Sequence, residues 1–191
     1  MVGRPRQFDR EKALEKAVVL FWEQGFEATG IALISETLGI GRQSLYGSFG
    51  DKRTLFIEAL KHYADENIAW LTDTLNGPGP AVSNIHTVLE TWARRTSDCN
   101  YRGCFLTNSM SELGARDPEM TGLLSRNLGR MTAVFEASLE RGKAEGEIDS
   151  STNTHALAKA LVNTAQGLSS TCKVDHDYAS DVVMQVKKLI R

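Results

Sequence analysis

The chain has 191 residues, of which 41% are hydrophobic and 24% charged, with a formal net charge of −2 at pH 7. This balance is that of a globular protein with a real core in one or two domains, and no apolar run is long enough to cross a bilayer. Three scattered cysteines, Cys99, Cys104 and Cys172, exclude a disulfide framework.

The opening residues, M-V-G-R-P-R-Q-F-D, lack the apolar core of a signal peptide, so a cytoplasmic location is expected. The near-neutral charge gives no global signal for nucleic acid, and any affinity for DNA has to come from basic residues placed locally. Met1 to Gln7 form a short basic arm in which Pro5 prevents helix. Without DNA it reads as a frayed terminus.

Asp9 is a good N-cap for a helix running to about Gln24. Leu14, Ala17, Val18, Phe21 and Trp22 form its buried stripe, and Gly25 ends it. The stretch Gly25 to Phe49, G-F-E-A-T-G-I-A-L-I-S-E-T-L-G-I-G-R-Q-S-L-Y-G-S-F, reads as two short helices around a tight turn. Ile31, Ile34 and Leu38 recur at helical spacing, and Gly39 follows where a left-handed residue closes a helix. The second helix, Arg42 to Phe49, tucks Leu45 and Phe49 inward. Its other face carries Arg42, Gln43, Ser44, Gly47 and Ser48. A helix with such a small, hydrogen-bonding face fits the major groove of DNA.

At these residues the chain resembles the DNA-binding domain of the tetracycline-repressor (TetR) family. The resemblance rests on G-F-x-A-T, I-x-x-I-S, L-G-I-G-R-x-S-L-Y-x-S-F and the following D-K-R-x-L-F. Gly30 and Gly41 depart from it, standing where Ser or Thr commonly caps the two helices. That costs about 0.5 kcal/mol or less per helix. The resemblance implies that Tyr46 and Lys52 contact phosphate oxygens, and that Arg4 and Arg6 in the arm reach toward the minor groove or backbone. On the chemistry of their side chains, Arg42 pairs with guanine and Gln43 with adenine, while Ser44 and Ser48 contact base or phosphate.

Asp51 caps the next helix, which continues through Leu55, Phe56, Leu60, Ile68 and Leu71 to about Leu75, where N-G-P-G-P breaks it. We place the domain division within this helix, with a helix–turn–helix domain at 1–53 and a helical ligand-binding and dimerisation domain at 54–191. Helices are expected over Val82–Thr96, Cys104–Leu113, Pro118–Glu145, Thr154–Thr171 and Tyr178–Ile190. No strand pattern is present. The fold class is all-α, with about nine helices.

The last two helices are the expected dimer surface, through Leu157, Ala160, Leu161, Thr164, Leu168, Val182 and Val186. The same stripes would also suit packing within one chain. The TetR resemblance implies a small-molecule effector in the second domain. Trp70, Trp92, Phe105 and Asn108 are candidate pocket residues, with Cys104, Met110, Glu112, Met131 and Phe135, and each reads equally as core. Cys104 opens a helix, where the free amides and Arg102 would lower a thiol pKa. Some relatives sense electrophiles or oxidants through a similarly placed cysteine, and a buried structural cysteine is the competing reading.

His62, His86, His155 and His176 are dispersed, and the pair His62 and Glu66 is too small for a zinc site. No catalytic residues, metal or cofactor are expected. The sequence thus reads as a repressor that binds a palindromic operator as a homodimer and is released by an effector. An activator of the same fold is the alternative, and an all-helical enzyme or partner-binding protein is the reading of a different class.

Overall fold

Most helices in the computed structural model start or stop at a residue whose chemistry accounts for it. The structure describes residues 9–96, 98, 101–114, 116–175 and 177–190. Arg4, Arg6, Cys99 and His176 lie outside the described residues. Within them there are nine helices and no strand: α1 (Arg10–Gln24), α2 (Ile31–Leu38), α3 (Arg42–Phe49), α4 (Lys52–Leu75), α5 (Ala81–Thr96), α6 (Phe105–Leu113), α7 (Pro118–Ala144), α8 (Thr154–Thr171) and α9 (Tyr178–Lys188).

The Asp9 carboxylate accepts the N–H groups of Glu11 and Lys12 at the start of α1. Asp51 accepts the Thr54 N–H at 2.7 Å at the start of α4. Asp117 and Asn153 do the same for α7 and α8. Each satisfies amides that the first helical turn leaves without partners. α5 starts one residue earlier than expected, for a reason no local signal carries. Glu147, from the turn after α7, accepts the N–H of Ala81 at 3.0 Å and of Val82 at 2.9 Å. Cys104 is the N-cap of α6 rather than its first residue. α9 ends at Lys188, and its last turn tightens as Leu189 N–H bonds Val186 at 3.0 Å.

Packing divides the chain between Ala64 and Asp65, inside α4, and not after Arg53 as expected. The physical reason is that Leu55, Phe56, Ala59 and Leu60 are all buried, so the first turns of α4 complete the N-terminal core. There Phe56 meets Phe21 edge-on at 5.0 Å and Phe26 at 4.9 Å. Each such ring contributes about 1.5–3 kcal/mol by burial.

The second unit is built on a core of Leu71, Ile85, Leu89, Phe135, Leu139 and Leu161. α7 packs on α8 and α5, and α6 lies against α7 and α8. α9 turns Ala179 and Val183 inward against this core, and Ile190, just past its end, joins them.

Candidate DNA-binding face and effector unit

In the first unit, α2 ends on Gly39 at φ 70°, a left-handed conformation that a side chain would strain. Ile40 N–H then bonds the Ser35 carbonyl at 3.1 Å, closing the helix with the turn that sets the start of α3. The loop before α2 is sealed by Thr29, fully buried, whose hydroxyl donates to the Gly25 carbonyl at 2.6 Å.

α3 is anchored by Leu45 and Phe49, both nearly fully buried. Arg10 holds its far end: its guanidinium lies 4.8 Å over the Phe49 ring and pairs with Glu58 at 2.6 Å. The opposite face is free. Arg42, Gln43, Ser44 and Tyr46 are exposed and Ser48 is half-buried. None of these five side chains has a hydrogen bond or ion pair among the described residues. Eight residues rise about 12 Å, so this face spans one groove's width and little more.

Lys52 differs from the others. Its ammonium sits 4.3 Å over the Phe26 ring and 3.4 Å from the Glu27 carbonyl, so it is already oriented rather than free. Gly30 and Gly41 are the N-caps of α2 and α3, and neither helix has a side-chain cap. Asp51, at the start of α4, has its carboxyl held below the usual range, first by the Thr54 backbone N–H.

In the second unit, most of the nine expected pocket residues serve as structure. Phe105 and Phe135 are fully buried, and Trp92 meets Phe135 edge-on at 5.7 Å. Trp70 lies 4.5 Å beneath the Arg95 guanidinium, and Met131 packs against the core. Asn108 accepts from Lys173 and donates to the Arg102 carbonyl at 2.9 Å, which ties the loop before α6 to the end of α8. Glu112 and Cys104 are half-buried, and Cys104 forms no cap hydrogen bond. Gly103 is required beside it, because an added Cβ would stand 2.8 Å from the Ser169 carbonyl.

A cavity of about 570 Å³ opens elsewhere, in a furrow between α6, α7 and α8. Its apolar walls are Met110, Leu128, Ala133 and Val162; Glu136, His155, Lys159, Asn163 and Gln166 supply the polar ones. Of the nine residues expected from sequence, Met110 alone lines it. Leu128 was legible as a helix-stripe residue, but nothing in its spacing shows that the space beside it is empty.

The expected dimer residues divide between two faces. Leu161 and Leu168 are buried in the chain's own core, and Leu157 packs against it. They face inward because Leu157 and Leu161 lie one helical turn apart, and Leu161 and Leu168 two turns apart, on one face beside the buried Ala158 and Val162. Ala160 is exposed, and Thr164, Val182 and Val186 are half-buried. Tyr178 and Leu189, at 50% and 66% exposure, extend the Val182–Val186 stripe along the outer face of α9. Among the described residues no cluster of three or more His, Cys, Asp or Glu could hold a metal, and no helix is long and apolar enough to cross a membrane.

Known proteins bear on this architecture. Residues 13–59 match the family of bacterial regulatory proteins, tetR family, and residues 81–185 match the tetracyclin repressor-like C-terminal domain. The uncharacterized HTH-type transcriptional regulator YezE of Bacillus subtilis (strain 168) is 32% identical over 178 residues, 92% of each chain. The HTH-type transcriptional repressor ComR of Escherichia coli (strain K12) is 29% identical, over 90% of this chain and 82% of its own. A cysteine mutant of the TetR family regulator CifR, solved with a 26-base-pair operator duplex, superposes with a TM-score of 0.85 at 30% identity. That match covers 99% of this chain and 100% of CifR. With a helix–turn–helix unit, a helical C-terminal unit and both family matches in place, the chain belongs to the TetR family of transcriptional regulators.

Proposed function

We propose that this regulator is a repressor that binds a palindromic operator as a homodimer and is released by a small molecule bound in its second unit. The observation that carries the reading is the α3 face, where five polar side chains, unpartnered among the described residues, stand outward on two buried anchors. Arg42 and Gln43 read bases. Ser44 and Ser48 contact base or phosphate, and Tyr46 and Lys52 grip phosphates, with Arg4 and Arg6 of the basic arm adding to the grip. The Phe26 ring and the Glu27 carbonyl hold the Lys52 charge at the edge of this face, which lowers the entropy it loses on binding.

One such helix spans too few base pairs for useful discrimination. A two-fold dimer doubles the contacts and places two half-sites about 34–36 Å apart. The outer faces of α8 and α9, with Ala160, Thr164, Tyr178, Val182 and Val186, support that association. Effector binding acts through α4, the helix to which both units contribute residues, by favouring a dimer that no longer fits successive grooves. The reading places the protein in the cytoplasm, with its DNA.

The test is fluorescence anisotropy on labelled duplexes from the regulator's own upstream DNA, read at several salt concentrations. The reading predicts tight binding that falls steeply with salt, at two chains per duplex. Equal and weak binding to all duplexes would refute it.

A further inference from the structure

The furrow between α6, α7 and α8 has a one-sided supply of hydrogen-bonding groups. The Thr107 hydroxyl, nine-tenths buried, donates to Gln166 Oε1, and Ser169 Oγ stands 3.0 Å behind that hydroxyl. Thr107 therefore occupies the amide's acceptor. The Gln166 amide nitrogen keeps two N–H donors without a partner among the described residues. Lys159 is likewise unpaired among them, and it lines the same furrow. The one carboxylate present, Glu136, is already taken by His155 Nδ1 at 2.9 Å. Thr132 spends its proton on the Leu128 carbonyl at 2.8 Å. Besides Asn163, whose amide offers both a donor and an acceptor, what remains unpartnered among the described residues is the pair of Gln166 amide N–H donors and the Lys159 ammonium, beside walls of Leu128, Ala133, Val162 and Met110.

We propose that this furrow is the effector site and that its ligand is an amphipathic carboxylic acid. The carboxylate is held by Lys159 and the Gln166 amide, and the apolar body lies along Leu128, Ala133 and Val162. The ligand class follows from complementarity. A cation would meet the unpaired Lys159 ammonium and find Glu136 already bonded to His155, and a purely apolar molecule would leave the Gln166 donors desolvated without partners. At about 570 Å³ the space is within the range of small-molecule sites. The assignment rests on the effector-release reading above and adds the site and the chemistry to it.

The experiment is isothermal titration of the full chain with sodium decanoate and, separately, with decan-1-ol, using wild type, Lys159→Gln and Ala133→Trp. Both positions are exposed, so neither substitution disturbs the core, and circular dichroism melts verify this. Decanoate is expected to bind once per chain, about three- to tenfold more weakly in Lys159→Gln and not measurably in Ala133→Trp. Decan-1-ol is expected to bind less well and to ignore Lys159→Gln. Absence of decanoate binding, or decanoate binding that ignores both substitutions, overturns the assignment. So does an Ala133→Trp protein that still binds decanoate but sediments as a monomer where wild type is a dimer, because a second copy then covers the furrow. Operator anisotropy in the same samples separates the two levels. Decanoate that fills the furrow without releasing operator keeps the site and refutes the release reading; release by another compound, with no decanoate binding, does the reverse.

Discussion

α3 and the furrow of the second unit meet their partners by opposite means. α3 is eight residues long, follows a glycine N-cap, and presents polar side chains from a short run of consecutive sequence. The furrow gathers its groups from three helices, and the pair that decides its chemistry, Thr107 and Gln166, is 59 residues apart. The difference lies in what each partner requires. A rigid duplex of fixed groove width selects a stereotyped helix with fixed side-chain spacing. A small ligand needs only a gap among helices, and a gap leaves no local trace.

The comparison breaks most completely if the first unit cannot hold α3 in place. Phe56→Ala removes the ring that Phe21 and Phe26 both meet and is expected to cost about 3–5 kcal/mol. Urea denaturation should show a large fall in the midpoint, with specific DNA binding lost. Arg42→Ala, on the exposed face, should leave the melting temperature unchanged and cost about 1–3 kcal/mol at the preferred base. Lys52→Ala should instead weaken all duplexes alike and flatten the salt dependence by about one unit of slope. Competition with single-base variants of one duplex separates these two outcomes.

In the second unit, Glu147→Ala should cost about 1 kcal/mol, because two α5 amides lose their acceptor. The Glu147 carboxyl is held below its ordinary value, chiefly by the Val82 N–H and then the Ala81 N–H. A depressed folded pKa gives stability that is present above the unfolded value and is lost as pH falls through the folded one. Melts should therefore separate wild type from Glu147→Ala at pH 7 and bring them together below the ordinary glutamate range. The smallest effect belongs to Gly41→Ser. An added Cβ there meets nothing within 4 Å, and a serine cap should raise stability by a few tenths of a kcal/mol.

Helix order and the caps at Asp9, Asp51 and Asp117 were legible because each is a local signal: a period, an acceptor or a glycine. Gly39 was legible for the same reason, since its left-handed φ closes α2 where the apolar stripe stops. Three features were not. The division at Ala64 depends on which core α4's first turns complete. The start of α5 depends on a glutamate 66 residues away from Ala81. Trp92, Phe105 and Phe135 have the composition of a pocket wall and turn out to pack on the core instead, because periodicity marks the inward face without telling whether it meets atoms or space. Leu161 and Leu168 misled in the same way, since a stripe does not say which of two surfaces it faces.

The central claim is that the outward face of α3 reads duplex sequence twice per assembly. Selection of bound duplexes from a random pool by the purified full chain tests it directly. The account predicts enrichment of an inverted repeat whose half-sites lie about one helical turn apart, with preference relaxed at one base of each half-site when Arg42→Ala protein is used. A pool that stays random, or a single enriched half-site with no symmetry mate, would contradict it.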